Sequence, residues 1–120
     1  MEHAAKSIRP FIGAKDFGIS RDFYRSLGFE EIVLTPKMSY FRTEKIGFYL
    51  QDAYVQDWID NTMIFLEVDN LDRHYDQVSE LQLPKKFNGV RLIPIQKLDW
   101  GREYFLHDPS GILWHFGEFA

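Results

Sequence analysis

Residues 100–116, WGREYFLHDPSGILWHF, read as one strand, a tight turn and a second strand. The turn is Asp108-Pro109-Ser110-Gly111: Pro presets φ at the second position, Asp can accept hydrogen bonds from the backbone ahead, and Gly tolerates a positive φ. Beyond the turn the side chains alternate between two faces, Ile112, Trp114 and Phe116 on one and Leu113, His115 and Gly117 on the other. The stretch therefore predicts a hairpin in which the two faces of the second strand lie in different environments.

The entrance to this hairpin is Trp100 followed by Gly101. A glycine beside a large indole lets a ligand, or another stretch of backbone, approach closely. The indole itself could stack on a ligand or cap the edge of a sheet, and the spacing leaves both interpretations open.

The composition predicts one globular domain, residues 1–120, or two very small repeats that share a core. Eleven Phe, six Tyr and three Trp are more aromatic surface than so small a domain is expected to bury, which favours an aromatic groove or interface. The absence of Cys excludes disulfides, thiolate nucleophiles and Cys-ligated metals.

The charge and hydropathy patterns limit the possible partners and the expected cellular compartment. The net charge is −4, and Lys85-Lys86 falls far short of a nucleic-acid footprint, so no nucleic-acid partner is expected. No apolar run approaches membrane-spanning length and no signal segment is recognisable, so the sequence predicts a cytoplasmic protein without a membrane partner.

The first half of the chain predicts a strand, a helix and three strands. The strands are expected at residues 8–14, 30–34, 38–42 and 46–51, with Pro10 near the start of the first. The helix is expected from an N-cap at Asp16 to Leu27, with Gly28 ending it and an apolar stripe of Phe17, Tyr24 and Leu27 widened by Ile19 and Phe23. Residues 52–61 form an acidic connection that is too irregular to assign.

The second half repeats this order. Strands are expected at residues 62–68 and 90–98 and in the opening hairpin, and a helix follows an N-cap at Asn70, with Pro84 beyond its end. Both helices run eleven positions from the cap to the last apolar contact, at Leu27 and Leu81. The repeats therefore span about residues 7–52 and 62–118, and neither can bury its own sheet without its twin.

The sequence resembles the vicinal oxygen chelate superfamily of glyoxalases, extradiol dioxygenases and bleomycin-resistance proteins, and within it the bleomycin-resistance proteins. The resemblance spans residues 8–118 and is carried by Asp16, Phe23-Tyr24, Leu27-Gly28-Phe29, Asp60-Asn61-Thr62, Trp100-Gly101-Arg102-Glu103, Asp108-Pro109-Ser110-Gly111 and His115-Phe116. It implies an α+β fold of two βαβββ repeats, whose curved mixed sheets surround a groove. It also implies a homodimer in which the N-terminal strand crosses to the partner, hinged near Pro10.

The resemblance also implies four positions at which the metal-dependent enzymes of the superfamily place one ligand each. Here these positions hold Arg9, Tyr49, Met63 and His115. Arg cannot deprotonate to bind a cation, Met and Tyr are poor ligands for hard divalent ions, and one His does not hold a metal. We therefore expect no metal, no cofactor and no catalytic residues, as in the resistance proteins, which hold a drug without altering it.

Strand parity then assigns side chains to the groove. Phe11, Gly13, Gln51, Phe65, Glu67 and Leu113 share a face with the four positions, whereas Ile12, Phe48, Leu50, Ile64, Leu66, Ile112, Trp114 and Phe116 are expected to face the helices as core. A face with Phe11, Tyr49, Phe65 and one carboxylate suits a flat, partly cationic ligand. The alternative is that these aromatic side chains fill a closed barrel.

The predicted ligand-binding residues are Trp100, Phe65, Tyr49, Phe11, Glu67, Gly101, Met63 and His115. His3, His74 and His107 are expected to be solvated, and Asp108 to form the turn rather than act as a base. The predicted function is sequestration of a small cationic antibiotic of the bleomycin type, with carboxylates of Glu67 and of residues 52–60 attracting its positive end. A glyoxalase-like or dioxygenase-like enzyme of unknown substrate, and a dimer that binds no ligand, are the alternatives.

Overall fold

The chain folds as two successive βαβββ units, and the computed structural model describes all residues from Met1 to Ala120. The elements of the first unit are β1 (Phe11–Gly13), α1 (Phe17–Ser26), β2 (Glu30–Thr35), β3 (Met38–Thr43) and β4 (Ile46–Gln51). Those of the second are β5 (Met63–Glu67), α3 (Leu71–Glu80), β6 (Arg91–Leu98), β7 (Gly101–His107) and β8 (Leu113–Phe119). Two short helices, α2 (Gln56–Asp60) and α4 (Leu83–Lys86), lie in the connections. None of the four helices has the length and hydrophobicity that a membrane-spanning helix requires.

Each unit forms one four-stranded mixed sheet, with the strand orders β1-β4-β3-β2 and β5-β8-β7-β6. In both sheets the first strand pairs in parallel with the last, and the remaining pairs are antiparallel. The predicted fold class, α+β with two repeats and mixed sheets, is confirmed.

The structure differs from the sequence-based prediction at one strand and adds two short helices that the sequence left unassigned. The first strand has three residues instead of seven, and residues 1–10 carry no secondary structure, although the Pro10 carbonyl accepts a hydrogen bond from the Tyr49 amide at 2.9 Å. The acidic connection contains α2, which Ile59 anchors in the core because its side chain is 2% exposed. Pro84, beyond the end of α3 as predicted, lies in the first turn of the extra helix α4, where its missing N–H costs nothing.

Both helix caps form as predicted. The side chain of Asp16 accepts a hydrogen bond from the Ile19 amide at 3.1 Å, and that of Asn70 accepts one from the Arg73 amide at 3.1 Å. The predicted apolar stripe is wrong at Ile19, which is 45% exposed. Ser20 is buried in its place, because its Oγ lies 3.3 Å from Oγ of Ser110 in the hairpin turn of the second unit.

Asp108 is a turn former, as predicted, and it also joins the two units. Its Oδ1 accepts hydrogen bonds from the amides of Ser110, Gly111 and Ile112 at 2.8–2.9 Å. Its Oδ2 accepts a hydrogen bond of 2.6 Å from the hydroxyl of Tyr24 on α1, and that hydroxyl accepts one of 2.9 Å from Nε1 of Trp114. Burial raises the pKa of Asp108 and the pKa of Tyr24. The network satisfies every one of these buried polar groups.

The two units share one core, as the repeat predicts. Phe48 of the first sheet and Trp114 of the second are both 2% exposed, with ring centroids 5.3 Å apart, so Trp114 is structural. The predicted core parity is confirmed in both sheets: Ile12, Phe48, Leu50, Ile112, Trp114 and Phe116 are buried, and Ile64 and Leu66 are partly buried against them. The sheet faces that are turned away from α1 and α3 are called the open faces below.

Candidate functional site

The open faces are not the interior of a closed barrel. Phe11, Met63 and Phe65 are all more exposed than 40%, with values of 58%, 64% and 45%. The alternative interpretation of the groove aromatics as barrel filling is therefore wrong for this chain. Contiguous patches of exposed apolar side chains are a common feature of binding surfaces, so the open faces are the candidate site.

The open face of the first unit carries an aromatic row with a cation over it. Phe11 stacks on Tyr49 with ring centroids 4.6 Å apart, and Tyr40 lies 5.1 Å from Tyr49. The guanidinium carbon of Arg9 lies 4.3 Å from the ring centroid of Tyr40, and Nη1 donates a hydrogen bond of 2.9 Å to Oη of Tyr49. This hydrogen bond raises the pKa of Arg9. The first open face therefore presents both π surface and a positive charge.

The open face of the second unit carries a three-ring cluster, made of Phe65, Trp100 and Phe119. The ring centroids lie 5.8 Å apart for Phe65 and Trp100, 5.3 Å for Trp100 and Phe119, and 5.7 Å for Phe65 and Phe119. The three side chains are 45%, 37% and 56% exposed. Phe65 and Trp100 were predicted from the sequence, whereas Phe119 was missed, although the parity of β8 places residue 119 on the same face as His115.

Two glycines shape this ring cluster. A Cβ on Gly117 would overlap the ring of Phe65, so only a glycine lets Phe65 lie flat across β8. A Cβ on Gly101 would overlap the carbonyl oxygen of Glu118. The sequence left open whether a ligand or another stretch of backbone approaches Gly101. In the structure it is the backbone of Glu118 that lies against this glycine. The same backbone holds Trp100, whose carbonyl accepts a hydrogen bond from the Ala120 amide at 3.0 Å.

An acid–base pair lies beside the ring cluster. Nδ1 of His115 on β8 lies 2.9 Å from Oε1 of Glu103 on β7, and Glu103 is only 8% exposed. Phe105 packs its ring edge-on against the imidazole, with centroids 4.8 Å apart. Glu67 shares this face, because β5 runs parallel to β8 and pairs it with Gly117. The second open face is thus aromatic and acidic, in contrast to the first.

Two of the remaining histidines differ from expectation, whereas His3 is exposed as predicted. His74 is not simply solvated: its Nδ1 lies 2.6 Å from Oη of Tyr104 and its ring lies 4.8 Å from that of Phe116, and burial lowers its pKa. Nε2 of His107 lies 3.4 Å from Nη2 of Arg91, and burial and this cation lower the pKa of His107. No group of three or more His, Cys, Asp or Glu side chains is placed to hold a metal ion.

Two clefts border these faces. One of about 330 Å³ separates the units and is mostly apolar, with Ile8, Phe48, Ile64 and Trp114 among its walls. A second cleft of about 600 Å³ has Glu44, Lys45 and Arg73 among its walls, so it carries charges of both signs. Glu67 lines both clefts, so it lies where the open face of the second unit meets the gap between the units.

Comparison with known proteins rests on structure, since no protein-family model and no curated sequence matches the chain. A bleomycin-binding protein from bleomycin-producing Streptomyces verticillus, complexed with copper(II)-bleomycin, superimposes with a TM-score of 0.77 at 22% identity over 95% of this chain and 96% of its own. The bleomycin resistance determinant of transposon Tn5 gives a TM-score of 0.77 at 18% identity over 97% and 99%.

The chain has the glyoxalase/bleomycin-resistance fold. An enzyme also shares it: lactoylglutathione lyase from Agrobacterium tumefaciens superimposes with a TM-score of 0.72 at 16% identity over 96% of this chain and 95% of its own. The resemblance drawn from the sequence motifs is confirmed as a likeness of fold, and the fold accommodates both binding proteins and enzymes.

Proposed function

We propose that this protein binds a flat, cationic small molecule of the bleomycin type on its open faces and holds it without chemical change. The observation that carries the proposal is the exposed cluster of Phe65, Trp100 and Phe119 beside the carboxylates of Glu67 and Glu103. Aromatic rings bind flat π systems by stacking, and carboxylates in a partly desolvated setting attract positive charge. The likeness of fold to proteins that bind bleomycin gives this ligand class priority over others.

The predicted contacts fall into two groups under this proposal. Trp100 and Phe65 stack on the ligand, Glu67 and His115 meet its polar end, and Met63 lines the same face. Phe11 and Tyr49 contribute a second π surface, while Gly101 acts by holding Trp100. The charge of Arg9 above Tyr40 makes this second surface unsuited to the cationic end, so we assign that end to the second unit.

A homodimer is part of the proposal. Its support is the bare N-terminal segment, in which Ile8 is 93% exposed, together with the exposed side chains of Phe11 and Met63. A partner chain that pairs with this segment would bring the open face of one first unit near the second unit of the other. Light scattering at micromolar concentration should give the mass of two chains; a monomer would remove the two-chain groove. A cytoplasmic location stays a prediction.

A fluorescence titration tests the proposal. Bleomycin should quench the emission of the tryptophans and saturate near two sites per dimer. The quenching should be lost in Trp100→Phe and kept in Trp58→Phe, because Trp58 lies on α2 and is 70% exposed outside the ring cluster. An unchanged emission with bleomycin and with phleomycin at high micromolar concentration would discard this ligand class.

The alternative function is an enzyme, and one observation favours it. No acid–base pair is evident in the sequence, whereas the structure brings His115 and Glu103 together. A carboxylate that orients an imidazole is a common arrangement for proton transfer. Recovery of chemically altered bleomycin after incubation with the protein would move the assignment to this alternative.

A further inference from the structure

The pairing of His115 with Glu103 fixes which atom the imidazole presents to the open face. An ionised carboxylate only accepts hydrogen bonds, so Nδ1 of His115 must carry the proton that it shares with Oε1 of Glu103 at 2.9 Å. The neutral imidazole then has Nε2 as an acceptor, whereas the protonated one has Nε2–H as a donor. The protonated imidazole therefore repels a cationic N–H group at Nε2, whereas the neutral imidazole accepts a hydrogen bond from it.

The charges around this pair come from three neighbouring strands. The charged or titratable side chains on the same face are Glu103 and His107 from β7, Glu67 from β5, and Arg91 from β6, which reaches His107. On β8 itself, the neighbours on this face are Leu113, Gly117 and Phe119. Arg102 and Glu118 point to the other side, where they bind each other at 2.8 Å. With His115 neutral, the pair carries one negative charge, and with His115 protonated it carries none.

We propose that His115 and Glu103 form a proton-linked receptor for a flat cation with N–H donors, such as an amidinium or guanidinium group. This inference rests on the proposed function, whose ring cluster supplies the stacking surface. The imidazole ring itself continues that surface, since its centroid lies 6.3 Å from that of Phe65 and 4.8 Å from that of Phe105. The cation stacks on the rings, donates to Nε2 of His115 and lies near the charge of Glu103.

Binding and proton release are then linked. A cation that donates a hydrogen bond to Nε2 and a proton on Nε2 exclude each other, so the two compete for the same atom. The affinity for the cation should therefore rise as the pH rises. One unit of charge a few ångströms from the ligand changes affinity by about tenfold.

The test uses benzamidine, a flat amidinium, so that it does not depend on bleomycin being the ligand. Its affinity, measured by NMR shift titration, should be about tenfold higher at about pH 8 than at about pH 5.5. His115→Gln should lose this dependence and bind as tightly at the lower pH as at the higher. Glu103→Gln keeps an oxygen for Nδ1–H but removes the charge, so it should weaken binding at both values while the pH dependence remains.

His107→Gln is the matched control, because His107 lies on the same face beside Arg91 and its removal should change neither the affinity nor its pH dependence. Benzamidine affinity that is independent of pH in the wild type, or a pH dependence that survives in His115→Gln, would overturn the inference. Benzamidine binding with the expected linkage in a protein that ignores bleomycin would uphold the receptor and reject only the bleomycin assignment. Bleomycin binding whose affinity does not depend on pH would uphold the bleomycin assignment and reject the proton-linked receptor.

Discussion

The hydroxyl of Tyr24 on α1 donates a hydrogen bond of 2.6 Å to Asp108 in the hairpin turn of the second unit. The same oxygen accepts the indole N–H of Trp114 at 2.9 Å, so one buried atom connects a helix of one repeat to the turn and last strand of the other. Tyr24→Phe would leave a buried carboxylate oxygen and a buried N–H without this partner. Because each such group costs about 1–3 kcal/mol, urea denaturation should show a loss of about 2 kcal/mol or more.

The matched control for that substitution is Tyr54→Phe, since Tyr54 is 43% exposed and lies outside the core. Its free energy of unfolding should match that of the wild type. Equal stability of Tyr24→Phe and Tyr54→Phe would show that the network does not hold the units together.

A second prediction concerns acid stability. Burial alone would raise the pKa of Glu31, but hydrogen bonds from Arg21, Ser39 and Arg25 outweigh it and lower the pKa to about 2. A carboxyl whose folded pKa is depressed contributes stability above its unfolded value of about 4.3, and loses it as pH falls toward the folded value. Glu31→Gln should therefore cost about 2–3 kcal/mol at pH 7, with the difference from wild type shrinking between about pH 5 and pH 2.

Glu30→Gln provides the control for Glu31, because Glu30 pairs with Arg42 at 3.3 Å in the exposed part of the same strand. Exposed pairs contribute little, so its stability should follow the wild type across the pH range. A constant difference between Glu31→Gln and wild type from pH 7 to pH 2 would contradict the assignment.

A third prediction separates the two glycines of the ring cluster. Gly101→Ala puts a methyl group against the carbonyl of Glu118, which is backbone and cannot move away, so it should destabilise the fold by roughly 2 kcal/mol or more. Gly117→Ala meets only the ring of Phe65, which can rotate, so the fold should lose roughly 1 kcal/mol or less. Gly117→Ala should nevertheless weaken ligand binding because Phe65 leaves the cluster. Thermal melts and titrations of both variants test this, and unchanged ligand binding by Gly117→Ala would contradict the place of Phe65 in the site.

The local signals in the sequence were sufficient for most of the fold. Caps at Asp16 and Asn70 and the turn at residues 108–111 depend on neighbours within four positions, and all form as expected. The length of the first strand was not predictable in this way, because strand pairing ends where a partner strand ends and residues 1–10 find little to pair with. The burial of Ser20 likewise depends on Ser110, ninety positions away.

The sequence named Phe65, Trp100, Glu67 and His115 among the candidate site residues, but it missed Phe119 and the pairing of His115 with Glu103. Parity alone placed Phe65 and His115 on one face, but it does not say which residues lie opposite each other. The hairpin turn does fix that register, pairing Phe105 with His115 and Glu103 with Gly117. Counting outward from the turn in the sequence is therefore enough to place Glu103 diagonally opposite His115, within side-chain reach.

The central claim is that the protein holds a bleomycin-type cation intact, and calorimetric titration followed by mass spectrometry tests it most directly. Bleomycin titrated into the protein should give saturable heat with about one ligand per chain, absent in Phe65→Ala with the fold retained. The ligand released by mild denaturation should have the mass of the starting material. No saturable heat, or a released ligand of altered mass, would contradict the claim.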